Sequence, residues 1–353
     1  LCMANVSPSL FGLNNSNRDF SREDTWGKNQ FNSSFPAALC NYLAYKNMNA
    51  NFLIMKNNQH KVSEISINEI YNSSVIDTNL FFAFESQYTP YSSKVIGSLP
   101  RIDLVLQKDG VCLRGLEIKL TALPDNTTYT FSDEHYGCEL VVRPDTIVYL
   151  ACSIAKHFYS KIIKEIPKIN IIDWSDPQEV LHSIDLIIFR LKKLVLDFEL
   201  KQTPFLLQPI WKTKGKKAEL ADYCLDVFVW SDIAFTSFIT NISNSNIKAK
   251  FITRQTRTAI WLYKMLEDIL HNGRCCADTI IDKLAYNNKN DKAFASSGRI
   301  TNPYMKCDCL TTPRIHKSEI KKIILGGGQN LLSPERRFDA IIVNSPNLFN
   351  EIL

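Results

Sequence analysis

The chain has 353 residues, 45% of them hydrophobic and 22% charged. That is enough apolar material for a large core in one big domain or two, and it excludes a chain dominated by disorder. The net charge of +5 and pI of about 8.6 fit an anionic partner without requiring one.

No positively charged start followed by an apolar core is present, and no apolar run reaches the ~18 residues needed to cross a bilayer. A membrane-spanning or secreted protein is therefore not expected. The ten cysteines read as reduced thiols of a cytoplasmic protein rather than as a disulfide frame.

In chain order, residues 9–34 are polar, with Phe11, Phe20, Trp26 and Phe31 interleaved. Pro36 opens a predicted helix running to about Lys46, with Leu39, Tyr42 and Leu43 on its buried face. A polar, Asn-rich segment follows. Residues 79–84 are an apolar run of strand length. Residues 101–107 and 111–121 alternate, and Asp109-Gly110 between them reads as a hairpin turn. Ile147, Leu150, Ala151, Ile154 and Phe158 recur at helical spacing within 145–164, with Asp145 as the expected cap after Pro144. A second long helix is expected over 178–200. A basic loop from Lys212 to Lys217 leads to a strand at about 224–230, and another helix covers 256–271. This order predicts an α/β fold: a mixed central β-sheet flanked by helices, with a helical C-terminal extension.

The hairpin carries the candidate chemistry. Ile102, Leu104 and Leu106 should point to one side of their strand and Asp103 to the other. On the partner strand Leu116, Ile118 and Leu120 point one way, and Glu117 and Lys119 the other. Two carboxylates suit a hard cation such as Mg²⁺, and a lysine beside them suits an attacking water and a phosphate. Asp103, Glu117 and Lys119 are thus candidate catalytic residues for phosphodiester hydrolysis, with Asp103 and Glu117 as the metal ligands. Glu85 and Glu69 are candidates for a further acid. An exposed Glu/Lys pair on an amphipathic hairpin is the bland alternative. Glu199-Leu200-Lys201 and Glu319-Ile320-Lys321 repeat the Glu-x-Lys pattern, but the first ends a predicted helix, where a spacing of two spreads the side chains around the axis, and the second has no paired strand bearing an Asp.

Ile102-Asp103 followed by Glu117-Ile118-Lys119 resembles the PD-(D/E)xK nuclease superfamily, with Pro100 three residues before Asp103 rather than adjacent. Four segments resemble the HindVP/HgiDI group of type II restriction endonucleases more narrowly: Asn14 to Arg18, Trp26 to Asn32, Glu117 to Asp125 and Ser333 to Asp339. The HaeII-type group is a rival resemblance of similar length. The resemblance implies a restriction-endonuclease-like core, a homodimer, and Mg²⁺-dependent cutting of a palindromic double-stranded DNA site of the GRCGYC kind. Residues 1–165 would then hold a DNA-contacting segment and the catalytic core. Residues 166–353 would complete the sheet and the DNA cleft, a single domain remaining open.

A nuclease needs cations for phosphates and fork-shaped or amide side chains for base edges. Arg18, Lys28, Asn29, Gln30 and Asn32 supply both in the polar N-terminal segment. Lys216 and Lys217 in the basic loop, Arg254 and Arg257 just before a helix, and Arg336 and Arg337 after Gly326-Gly327-Gly328 are further candidates for DNA contact. A solvated loop is the ordinary reading of each alone. His271, Cys275, Cys276, Cys307, Cys309 and His316 lack the spacing of zinc knuckles, and the glycines lack the Lys-Ser/Thr of a phosphate-binding loop. Two other functional readings stay open: a structure-selective repair or recombination nuclease, and a DNA-binding protein without catalysis.

Overall fold

The structure is a computed structural model that describes residues 15–17, 37, 40, 44, 47–56, 59–117, 141–142, 144–196, 206–207, 227–229, 236, 238–240, 242–243, 251–286 and 296–297. Ala37, Cys40 and Ala44 are helical, within the helix expected from Pro36, and Ala37 and Cys40 are buried. Leu39, Tyr42 and Leu43 lie outside the described residues.

The Asn-rich stretch that reads as a mere polar segment is a hairpin. Strand β1 (Ala50–Lys56) pairs antiparallel with β2 (Gln59–Ile65). Ser66 then caps a short helix α1 (Ile67–Tyr71), its hydroxyl accepting from the Glu69 amide. The Ser-x-x-Glu spacing is that of a capping box.

Three strands form the centre of the second sheet: β3 (Leu80–Ser86), β4 (Ile102–Lys108) and β5 (Val111–Leu116), antiparallel in succession. Asp109 and Gly110 join β4 to β5 with φ of 50° and 77°. Two positive φ values between paired Lys108 and Val111 make the tight loop whose twist matches a hairpin. Leu106 pairs with Arg114 but Gln107 with Cys112, so Leu113 is an extra residue in β5 and the strand bulges there.

A break follows in the helix expected over 145–164. Helix α2 (Pro144–His157) starts at Pro144, so Asp145 sits in its first turn rather than capping it. Phe158, at φ −128° and ψ 33°, leaves helical geometry before α3 (Tyr159–Glu165). Helix α4 (Pro177–Val195) is capped by Asp176, whose carboxylate accepts from the Gln178 amide, with Pro177 at the first turn. Val180, Ile184, Ile187, Leu191 and Leu194 fall on one buried stripe. These three helices supply the crossover that lets β6 (Leu206–Leu207) pair parallel with β5.

Strand β7 (Val227–Val229) joins β1 in parallel, giving the order β2-β1-β7, beside the four-stranded mixed sheet β3-β4-β5-β6. Helix α5 (Arg254–Asn272) is capped by Thr253 and stopped by Gly273 at φ 77°. It buries Ala259 through Tyr263, Met265, Leu266 and Ile269, which makes it the central helix of the layer. Helix α6 (Ala277–Lys283) follows.

Strand alternation divides the work of the four-stranded sheet. Ala83 and Val105 face the helical core made with α2, α4 and α5. Phe82, Phe84, Leu104, Leu106 and Leu116 face the other way, where Tyr71 of α1 stacks edge-on against Phe82. Arg114, buried on this second face, donates to the carbonyls of Ile70 and Glu69 and so satisfies the end of α1. The fold is α/β as read from the sequence, with helices packed on the sheet. Among the described residues no helix is long and apolar enough to cross a membrane.

Candidate active site

Two ladders set the candidate carboxylates. Leu104 stands opposite Leu116, Val105 opposite Gly115 and Leu106 opposite Arg114. Continued one step, this register puts Asp103 opposite Glu117, the first residue beyond β5. Residues at one level of an antiparallel pair project to the same face. Asp103 and Glu117 therefore share the face of Val105, the side on which α2 packs. Asp103 is half-buried and Glu117 is 7% exposed.

A carboxylate that buried needs compensation, because taking its charge out of water without a partner is costly. Both residues engage neighbours in the structure. Lys119, Ile118 and the rest of the second strand's expected length lie outside the described residues.

The β3–β4 ladder adds a third acid to the row. Phe84 faces Leu104 and Ser86 faces Ile102, so Glu85 falls at the level of Asp103. Its φ of 48° takes it out of extended geometry, however, and its side chain is exposed. Among the described residues no three His, Cys, Asp or Glu side chains converge as a metal-holding group. Two hard oxygen donors on facing strands still match the donor chemistry of Mg²⁺, which takes one or two protein carboxylates and keeps much of its water. Glu69, the other candidate, sits at the start of α1 over the face that carries Arg114, away from Asp103.

Three hydrogen bonds fix the backbone beside this row. The Tyr149 hydroxyl, wholly buried on α2, accepts from the Tyr88 amide at 3.1 Å and donates to the Pro100 carbonyl at 2.5 Å. Gln87 Nε2 donates to the Leu99 carbonyl at 2.7 Å. The end of β3 and the start of β4 are thereby tied to one helix and to each other.

On the outer edge of β3, Asn17 acts as a strand substitute. Its side-chain amide donates to the Phe84 carbonyl and its amide oxygen accepts from the Phe84 N–H, both at 2.9 Å. The backbone N–H of Phe82 donates to Asn15 O, and Ser16 bridges Phe82 in parallel. An open hollow of about 700 Å³ lies here, lined by Asn17, Phe84, Glu85, Ser86, Gln87, Thr89 and Arg101.

Electrostatics near the site are dominated by burial. Burial, with Cys112 nearby, pushes the Tyr88 phenol up, and it holds the Arg114 guanidinium below its ordinary value. Burial and the adjacent Lys156 hold the His157 imidazole below its usual range at the end of α2.

Among the expected DNA-contacting residues, one is corrected. Arg257 is 0% exposed, its guanidinium 4.8 Å from the Trp261 ring centroid and its Nη1 donating to the Ala285 carbonyl at 3.4 Å. It belongs to the core, because it lies on the apolar stripe of α5 four residues before Trp261. Arg254 is the first residue of α5, and its side chain is outside what the structure describes. Arg18, Lys28, Asn29, Gln30, Asn32, Lys216, Lys217, Arg336 and Arg337 all lie outside the described residues, as do Cys307, Cys309 and His316. His271, Cys275 and Cys276 are described; Cys275 is buried and both thiols are free. Sequence reasoning passed over Arg101, Gln87 and Tyr149. A signal existed for Arg101 alone, since it shares Asp103's parity two residues upstream.

A family model for the HindVP restriction endonuclease matches residues 26–349. The probable type II restriction enzyme HindVP of Haemophilus influenzae is 51% identical, covering 98% of this chain and 96% of that protein. The type II restriction enzyme HgiDI of Herpetosiphon aurantiacus is 42% identical, covering 98% of each. No solved structure matches.

Proposed function

Because the chain belongs to the HindVP restriction endonuclease family, we infer that it is a type II restriction endonuclease hydrolysing phosphodiester bonds of double-stranded DNA at the Asp103–Glu117 row. The observation that carries the site assignment is the register that sets Asp103 opposite Glu117 at the end of a buried hairpin. A restriction-endonuclease-like core of the PD-(D/E)xK type is supported by the antiparallel trio of strands whose third member pairs parallel with a fourth after a helical crossover.

Asp103 and Glu117 are the residues that would hold Mg²⁺. The bound cation supplies positive charge that offsets the negative charge developing on the phosphate. Lys119, two residues beyond Glu117, projects to the same face if the strand continues extended, where its ammonium orients the attacking water and stabilises the phosphate's added charge. Glu85 stands as a further acid at the level of Asp103. The target in this reading is a short palindromic duplex of the GRCGYC kind, cut by a homodimer in the cytoplasm. The polar segment with Arg18, Lys28, Asn29, Gln30 and Asn32 reads bases, and Lys216, Lys217, Arg254, Arg336 and Arg337 grip the backbone.

Incubating the purified chain with plasmid DNA and Mg²⁺ tests the reading. Discrete fragments bear it out. Nicking confined to branched DNA would instead indicate a structure-selective repair or recombination nuclease, and binding without cutting a non-catalytic DNA-binding protein.

A further inference from the structure

The hollow beside β3 contains a cation with no assigned task. Arg101 is exposed, lines the hollow together with Glu85, and makes no hydrogen bond or ion pair among the described residues. Its backbone is held on one side by two pinned carbonyls, Leu99 to Gln87 and Pro100 to Tyr149. On the other side Ile102, 2% exposed, is paired with Ser86. The base of the side chain is therefore rigid while its charged end is uncommitted. A solvated arginine on a mobile loop would have neither anchor.

Arg101 also shares the parity of Asp103. Two residues along a strand span about 6.6 Å, roughly twice the ~3.4 Å helical rise of one nucleotide in a DNA strand. A guanidinium presents parallel donors suited to a phosphate's oxygens. The remaining polar lining among the described residues is Asn17, Ser86, Gln87 and Thr89, with Glu85 the one acid among them. We propose that Arg101 grips a backbone phosphate of the duplex one or two nucleotides from the bond cut at Asp103 and Glu117. The proposal rests on the nuclease reading above and adds to it the residue that sets the strand against the carboxylates.

The test measures affinity of the full chain for a random-sequence duplex over a range of salt concentrations without divalent cation, for wild type, Arg101→Ala and Arg101→Lys. Because Arg101 is exposed, both variants should unfold in urea at the wild-type midpoint. Arg101→Ala is expected to weaken binding about tenfold at low salt. It should also flatten the log–log salt dependence by about 0.9. Arg101→Lys keeps the slope. An unchanged slope in Arg101→Ala, or weaker binding at an unchanged slope, overturns the phosphate grip. Plasmid cleavage by Asp103→Ala in Mg²⁺ is read in parallel. If that variant still cuts, the site assignment fails and the grip is judged on its slope alone. If the wild type binds no duplex, both fail together.

Discussion

Replacing Tyr149 by Phe removes one oxygen and leaves the ring. Tyr149 is wholly buried, so no cavity opens beyond the hydroxyl itself. Two bonds go: the 3.1 Å bond from the Tyr88 amide and the 2.5 Å bond to the Pro100 carbonyl. Tyr88 is buried, so its N–H loses a partner that water cannot readily replace. Pro100 is only half-buried, and its carbonyl can be partly rehydrated. A stranded buried amide costs about 1–3 kcal/mol and the rehydrated carbonyl less, so the expected loss is about 2–3 kcal/mol. The assay is urea unfolding of wild type and Tyr149→Phe under identical conditions, read from midpoints and slopes. Cleavage should also fall, through a looser β3–β4 end, but by much less than on loss of Asp103. A stability change below about 0.5 kcal/mol would show that the hydroxyl does not tie the two walls together, and the rigid-base argument for Arg101 would lose one of its anchors.

Two further outcomes follow from the packing around the site. Arg257→Ala should destabilise the chain by about 2–5 kcal/mol, the range for truncating a fully buried long side chain, and leave the salt dependence of DNA binding unaltered; a flattened slope would return Arg257 to the DNA interface. His157 is held below its ordinary value of 6.5 by burial first and Lys156 second. The unfolded chain therefore takes up the proton first. The contribution of His157 is fully present above the unfolded value and is lost as pH falls through the folded one. Urea midpoints of wild type and His157→Gln should diverge in pH dependence just below pH 6.5, and parallel curves would contradict this.

How much of this was legible in the sequence depended on whether local pattern and tertiary packing agreed. β4 and β5 alternate because one face of each is apolar, and Asp109-Gly110 is a residue pair that readily takes two positive φ values. That Asp103 and Glu117 each sit on the less apolar side of their strand followed from that pattern; their opposition also needs the bulge at Leu113, which shifts the register by one residue and which no local signal announces. The hairpin of β1 and β2 was not legible. His60, Lys61, Ser63 and Glu64 give β2 little β-branched or aromatic content, and its pairing with β1 is a tertiary choice. The break at Phe158 carries no Gly or Pro to announce it. Arg257 was misread because a charge near a helix start suggests solvent, although its spacing to Ile260, Trp261 and Lys264 already placed it on the packed stripe. The hollow at Arg101 is formed by segments far apart in the chain, Asn17 against Phe84 and Gln87 against Leu99. No window of sequence contains it.

In the proposed reaction, cleavage depends most directly on the chemistry of the carboxylate row. The decisive measurement is Mg²⁺-dependent cleavage of plasmid DNA by Asp103→Asn, Glu117→Gln and Lys119→Ala beside the wild type, with circular dichroism and duplex binding recorded for each. The expected result is folded, DNA-binding protein whose cleavage is abolished in all three variants, because the altered groups act on cation, water and phosphate rather than on the core. Near wild-type cutting by any one of them would contradict the assignment of that residue, and near wild-type cutting by Asp103→Asn would remove the hairpin from the active site.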